Sequence, residues 1–414
     1  MNTARSGRLF PVGLRLSTLL LRFLLIFFLA RLLPIEVVGL YGLLLATVSF
    51  AVFIFGFDFY TYSTRQILRD GGGRWRTFLR SQVSFSLILY GAIGPLLLTL
   101  FWGGLLPWSV AAWFLLLLPL EHLGLEIDRL LIAMSDQIGA TIGLFLRQAT
   151  TALFVVPLMI VFPDLRTLNV VLAAWVFFDV VGIAAGLLFL SRHLRHQPRG
   201  RVDWKWVGAG ARIAIPFLIG TLCLRGLFTF DRQLVALLGD LETLGAYTLF
   251  MSIGAGMTQV IYAGVHQFSY PRLIMLSHSQ DQAGFDAALR SALLQTLVGV
   301  CSISGIVILI QPSILHFVGG EVYAQYAWIL PWVMLVTSVY NLSLIPHYAL
   351  YAIDADRVIL YTTVGAFAVF VSVVASLIDM GVVVAVLTGL GAASVTLTLA
   401  KTIGFMFARR NLFK

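Results

Sequence analysis

The sequence predicts an all-α membrane protein of about 12 transmembrane helices in two six-helix lobes. Three observations lead there. Of 414 residues, 59% are hydrophobic and only 11% are charged, whereas soluble domains average about 25% charged. The apolar residues come in long runs, each near the roughly 20 residues that a helix needs to cross a bilayer. The most polar and basic stretch, SRHLRHQPRGRVDWKW at 191–206, falls in the middle of those runs. No room is left for a large soluble domain. The balance of +9 is spread over loops and helix ends, the pattern of a topology signal rather than of a nucleic-acid-binding face.

The first apolar run, 13–33, reads GLRLSTLLLRFLLIFFLARLL. It is longer than the roughly 7–15 residues of a signal-peptide core, and Arg22 interrupts it, so it reads as a retained helix. Arg15, Thr18 and Arg22 recur at i, i+3 and i+7, on one helix face. One arginine at the bilayer centre is unfavourable by roughly 2.5–3.5 kcal/mol on translocon scales, so that stripe must face protein or water. Further spans follow at 39–59, 81–101, 108–128, 139–161 and 169–190. Six more come after the basic stretch, at 211–231, 241–263, 290–311, 327–348, 358–378 and 382–407. The connections are short except for 60–80, 191–210 and 264–289. We therefore expect a six-helix lobe over 1–195, a basic cytoplasmic linker over 196–210 and a second six-helix lobe over 211–414. Cys223 and Cys301 both fall in apolar runs and read as buried thiols.

Lysine and arginine placement sets the expected orientation. With the N-terminus cytoplasmic, only Arg31 and Arg166 of the 28 basic residues fall on the opposite side. Arg15, Arg22, Arg147, Arg225 and Arg232 lie within or at the ends of spans. Both termini and the linker are then cytoplasmic.

The two halves share a pattern. Glu36, Gly39 and Tyr41 join the first two spans, and Glu242, Gly245 and Tyr247 join the seventh and eighth at the same spacing. At the same offset Tyr62-Ser63 lies over Phe268-Ser269. Each glutamate would sit near the first turn of the following helix, where a carboxylate meets the positive helix end. Six is even, so the lobes share one orientation. That implies a pseudo-twofold along the membrane normal and a central cavity between lobes.

The run Glu36-Val37-Val38-Gly39-Leu40-Tyr41-Gly42, then Gly56-Phe57-Asp58 and Ser63-Thr64-Arg65-Gln66-Ile67, resembles the N-terminal signature of polysaccharide-biosynthesis membrane proteins. These are O-antigen and lipid-linked oligosaccharide flippases of the multidrug/oligosaccharidyl-lipid/polysaccharide exporter superfamily. Span number, lobe size and the basic linker agree over essentially the whole chain. The resemblance implies alternating access, a bacterial cytoplasmic membrane, and a cationic cavity for a polyprenyl-diphosphate-linked sugar. Its expected partners are the lipid-linked glycan, membrane lipids and polysaccharide polymerase or assembly proteins. The chain ends before the two further helices of the peptidoglycan-precursor branch.

The intramembrane polar residues supply candidates for that cavity. Thr221, Arg225, Thr229 and Arg232 share one face of the seventh span and match the Arg15/Thr18/Arg22 face of the first. Arginine forks hold phosphate oxygens bidentately. Arg22, Arg225, Arg147, Arg15 and Arg232 are thus candidate diphosphate ligands, though Arg15 and Arg232 can equally snorkel to the interfaces. Arg147 either lines the cavity or sits in an internal ion pair. Thr18, Thr221, Ser252, Gln259, Tyr262 and His266 are candidate sugar-binding or polar lining. Asp179 can pair with Arg147 or Arg22, or gain and lose a proton during transport. Asp58, Glu121 and Asp128 are further candidates for ion coupling, and the alternative for the acids is pairing with nearby basic residues.

The same inspection narrows the function. There is no phosphate-binding glycine loop, no H-E-x-x-H, no G-x-S-x-G and no Cys/His cluster at metal spacing. No cofactor, metal or nucleic-acid partner is expected, and we expect no enzyme. Asp354-Ala355-Asp356 resembles a glycosyltransferase D-x-D but lies in a tight cytoplasmic turn. A lipid-linked oligosaccharide flippase is the first reading. The alternatives are a drug or organic-cation antiporter of the same superfamily and a membrane polysaccharide polymerase or glycosyltransferase.

Overall fold

The structure, a computed structural model, describes residues 3–70, 73–195 and 200–409, with side chains from residue 10 onward. Residues 196–199 of the expected linker lie outside that description, as do the side chains of Arg5 and Arg8 at the N-terminus. Among the described residues, helix is the only regular structure. Twelve helical stretches among the described residues are long and apolar enough to cross a membrane, as the composition predicts. The chain divides into two compact units. Met1–Val37 with Tyr41–Leu222 form the first, and Val38–Leu40 with Cys223–Lys414 form the second.

The first unit opens with α1 (Thr3–Leu32) and α2 (Ile35–Gly56). Pro34 precedes α2 and Glu36 sits in its first turn, where the helix end is positive. Phe57 closes α2 in the left-handed region (φ 53), and Asp58 follows at φ 47. Two consecutive left-handed side chains are costly, so the bend is held by its surroundings. An amphipathic helix comes next, α3 (Tyr60–Asp70), burying Ser63 and Ile67. The 60–80 stretch, read from the sequence as a connection, therefore carries helix of its own. Beyond it lie α4 (Trp75–Ile93), a 3₁₀ turn at Pro95 and α5 (Leu98–Trp102). The unit continues with α6 (Ala111–Ala133), α7 (Gln137–Val161), α8 (Leu168–Leu194) and the start of α9 (Trp204–Leu238).

Asp136 caps α7 by accepting from Gly139 N at 2.8 Å, and Thr167 caps α8 by accepting from Val170 N at 3.4 Å. The α7 and α8 backbones approach closely where Gly143 meets Gly182 and Gly186, the small-residue packing that membrane helices favour. Trp206, on the first turn of α9, stacks on Phe78 at 4.9 Å and lies edge-on to Phe59 at 5.1 Å. This aromatic cluster ties the start of α9 to the first unit.

The second unit takes α9 from Cys223 onward, with Phe228 out of helical geometry (φ −97, ψ 16). It continues with α10 (Leu241–Ile261), a π-helical turn at Tyr262–His266 and α11 (Gln267–His278). Asp240 caps α10 by accepting from Thr243 N at 2.6 Å, with Glu242 in the first turn. Here too the long connection of the sequence reading, 264–289, contains a helix. Then come α12 (Gln282–Val318), α13 (Glu321–Ala324), α14 (Ile329–Ala352), α15 (Asp356–Leu377) and α16 (Val382–Arg409). Gly319 and Gly320 end α12 at φ 120 and φ 56, values open to glycine. Helices α14, α15 and α16 pack together, and Phe285 and Phe405 stack at 6.0 Å beside Leu350. Cys301, expected to be buried, is exposed on α12; an apolar run in a membrane helix can face lipid.

Candidate functional site

The densest polar network lies inside the first unit. Helix α6 carries Glu121, Gly124 and Asp128 at i, i+3 and i+7, on one face. Helix α7 places Arg147 against that face, only 2% exposed. Arg147 Nη2 donates to Asp128 Oδ2 at 2.6 Å and Nη1 to Glu121 Oε2 at 3.3 Å. Trp175 of α8 completes the set, its Nε1 donating to Glu121 Oε1 at 2.8 Å.

Glycines make room for the guanidinium. A Cβ on Gly124 would lie 2.5 Å from Arg147 Cζ, and one on Gly182 would lie 2.7 Å from the Gly143 carbonyl. Arg147 is thus seated between α6 and α8 at two positions where any side chain would collide.

Asp179 sits one turn beyond Trp175 on α8 and is fully buried. Neither of its carboxylate oxygens has a hydrogen-bond partner, and neither Arg147 nor Arg22 forms an ion pair with it. The charges that act on it are those of Glu121, Arg147, Arg22 and Asp128. On α1, Arg15 and Arg22 are exposed, whereas Thr18 is buried and donates to the Leu14 carbonyl. Arg22 Nη1 donates to Gln148 Oε1 at 3.2 Å, linking α1 to α7.

A second chain of polar groups runs along the α4 side of α6. Gln82 donates to Glu126, which also accepts from Arg129 at 2.6 Å. Arg129 lies over the Tyr60 ring at 3.7 Å, a cation–π contact. Tyr90 Oη lies 3.2 Å from His122 Nδ1. Asp58 is buried at the α2–α3 bend.

In the second unit, Arg225 is exposed on α9. Arg232 Nη1 donates to the Phe228 carbonyl at 2.8 Å, the residue at which α9 departs from helical geometry. Asp231 is fully buried and accepts from Arg232 N at 2.7 Å and from Tyr247 Oη at 2.9 Å. Thr221 is half-buried on the first-unit part of α9. Ser252 donates to the Thr248 carbonyl, and Gln259 and Tyr262 are exposed. His266 is instead buried. The π-helical turn inserts a residue and swings the later positions by about 100°, which takes His266 off the face it would share with Gln259 and Tyr262.

The structure therefore brings Arg147, Glu121, Asp128 and Asp179 together, with Arg22 beside them, and pairs Arg232 with Asp231. Trp175, Gly124 and Gly182 belong to these networks and were not singled out from the sequence, and Tyr247 stood out only as part of the repeat. A signal for part of them was present: Gly139 and Gly143, and Gly182 and Gly186, are spaced i, i+4 within spans. Chemically, a buried carboxylate without a hydrogen bond can hold a proton or a desolvated cation, and its neighbours set the field it feels.

No family model and no curated protein sequence matches the chain. Solved structures do. The chain is similar to an inward-facing conformation of a multidrug resistance MATE family transporter of the MOP superfamily. Identity is 13%, covering 96% of this chain and 97% of that one, with a TM-score of 0.73. An outward-facing conformation of a multidrug resistance MATE family transporter matches at 14% identity over 97% and 94% of the two chains, TM-score 0.57. A mutant form of the Vibrio cholerae MATE transporter VcmN matches at 15% identity over 97% and 99%, TM-score 0.54.

Proposed function

With the fold of MATE transporters and twelve apolar helices as its premise, we propose that this multi-pass membrane protein is a secondary transporter. On this reading it works by alternating access and exchanges a cation, in the first instance a proton, for an amphipathic organic solute. It catalyses no covalent step, and it sits in a bacterial cytoplasmic membrane with both termini inside. The observation that carries the reading is Asp179, fully buried on a membrane helix with both oxygens unpartnered. An ionisable side chain buried in a membrane span is rare and points to ion movement. The structural relatives support the solute class, since they are multidrug resistance transporters. Arg147 adds to this choice, because its fork is already engaged by Asp128 and Glu121 and is not free for a diphosphate.

A second reading keeps the lipid-linked oligosaccharide flippase that the sequence resemblance implies. Exposed Arg15 and Arg22 on α1, and exposed Arg225 on α9, favour it, since exposed guanidinium groups suit phosphate.

Proteoliposomes separate the two. Under an imposed pH gradient, wild type should export a cationic dye, and Asp179→Asn should lose the gradient-dependent part by about tenfold or more, the scale of one essential proton carrier. Replacing the pH gradient with a sodium gradient identifies the coupling ion. Dye export indifferent to both gradients would overturn the antiporter reading. Abolition of surface glycan export by Arg22→Ala and Arg225→Ala, in a chain that moves no dye, would establish the flippase instead.

A further inference from the structure

The second unit holds a cluster that neither reading uses. Lys401 lies on α16, 2% exposed, and no carboxylate pairs with it among the described residues. Its position along α16 is fixed by its neighbours. Thr398, three residues before it, bonds to the Val339 carbonyl of α14, and Phe405, four residues after it, packs beside Leu350 of α14. Lys401 therefore faces the stretch of α14 between these two points, which holds Pro346 and His347. Pro346 has no N–H to give to the carbonyl one turn back, so the α14 backbone is opened just ahead of His347.

His266 comes from the other side, at the end of the π-helical turn. Such turns recur at functional positions because they re-aim a side chain at the expense of regular bonding. His266 is 1% exposed, and neither of its ring nitrogens has a hydrogen-bond partner. His347 Nδ1 is likewise buried and unpartnered. The Tyr348 ring lies 5.2 Å from the ring of His266 and 5.4 Å from that of His347. Lys401 and His266 are the titratable groups that act on His347.

Two imidazoles and an ammonium thus converge from three helical segments, His266 and Lys401 buried and His347 half-buried, with no acid paired to them among the described residues. Both ring nitrogens of His266 and Nδ1 of His347 are left without a hydrogen-bond partner, and Lys401 has no carboxylate beside it among the described residues. An uncompensated ammonium inside a membrane unit is costly, and an imidazole nitrogen without a partner adds to the cost. One negatively charged ligand removes both defects at once.

We propose that His266, His347 and Lys401 form a binding site for a small anion within the second unit. The ligand chemistry is that of a halide or of a phosphate group, delivered free or on a lipid headgroup. The site shares no residue with the network around Asp179 and does not rest on the transport reading.

The test uses the full chain in a maltoside detergent, stripped of lipid, in gluconate buffer. Adding chloride, and separately inorganic phosphate, to about 100 mM should raise the melting temperature of wild type saturably by about 3 °C or more. Lys401→Met should abolish the rise, and its melting temperature in gluconate should equal or exceed that of wild type, because a buried charge has been removed. Lys401→Arg should keep the rise, and so should Arg272→Gln, a change at an exposed basic residue. If only nanodiscs with anionic lipid stabilise wild type over Lys401→Met, the anion is a lipid phosphate. Should Lys401→Met not fold, His347→Gln provides the reading, with at least a threefold loss of apparent affinity expected. A wild type stabilised by neither anions nor anionic lipid overturns the proposal. So does a Lys401→Met or His347→Gln variant that responds as wild type does.

Discussion

Removing the guanidinium of Arg147 is the sharpest perturbation the first unit offers. Arg147→Met keeps a chain of similar length on α7 but leaves Asp128 and Glu121 facing each other without their counter-charge. Both carboxylates are mostly buried, their side chains 13% and 19% exposed. Breaking a buried pair by deleting one partner costs about 3–5 kcal/mol, because the remaining charge is stranded. For a unit of this size, that is a fall in melting temperature of roughly 6–20 °C. The double variant Arg147→Met/Asp128→Asn removes the worse of the two stranded charges. Glu121 retains its bond from Trp175 at 2.8 Å, so the double variant should recover half or more of the loss. Melting followed by tryptophan fluorescence in detergent measures both variants on the same scale. A single variant melting within about 2 °C of wild type would refute the reasoning. A double variant as unstable as the single one would do the same, since the loss would then come from packing alone.

Three other variants probe packing, a buried hydrogen bond and orientation. Trp206→Ala empties the aromatic cluster with Phe78 and Phe59 and should destabilise the first unit by about 3–5 kcal/mol, seen in the same melting assay. Tyr247→Phe removes the hydroxyl that donates to buried Asp231 at 2.9 Å. It should cost about 1.5–3 kcal/mol, whereas Tyr326→Phe, at a weaker 3.4 Å contact with Thr243, should cost under about 1 kcal/mol. Arg201→Cys in a chain lacking Cys223 and Cys301 should resist an impermeant maleimide in intact cells, and labelling there would reverse the proposed orientation.

Span number was legible because bilayer thickness imposes one length on every crossing, and composition alone reveals it. The glutamates of the repeat were legible for a similar reason: Glu36 and Glu242 both sit in a first helical turn. Helices α3 and α11 were not, because helices this short and polar carry little hydropathy signal. They nonetheless come after α2 and α10 at matching places in the two units, one past a left-handed bend and one past a π-helical turn. The network around Arg147 was half legible. Its ionisable members stood out as charges within spans, and an internal pair was one of two expectations for Arg147. Which charges meet depends on how three helices rotate against one another, and hydrophobicity that runs all round a helix does not encode that rotation. Gly124 and Gly182 encode it, but only to a reader who already knows what fills the space beside them. His266 shows the opposite failure. Regular helical spacing would set it on one face with Gln259 and Tyr262, and one residue inserted by the π-helical turn takes it off that face.

The seat of Arg147 also bears on how the chain enters a membrane. Glu121 and Asp128 lie on α6 and Arg147 lies on α7, consecutive helices joined only by Met134, Ser135 and Asp136. Presented singly, each helix would carry charges that insertion scales penalise by roughly 2.5–3.5 kcal/mol apiece near the bilayer centre. Presented together as a hairpin, the charges neutralise one another before either helix meets lipid. The short turn makes that encounter nearly unavoidable, because loop closure over three residues is fast compared with synthesis at about 5–20 residues per second. Biogenesis of the first unit is thus coupled in pairs: α6 should wait at the translocon until α7 emerges, and a lengthened turn between them would delay release rather than alter the finished fold.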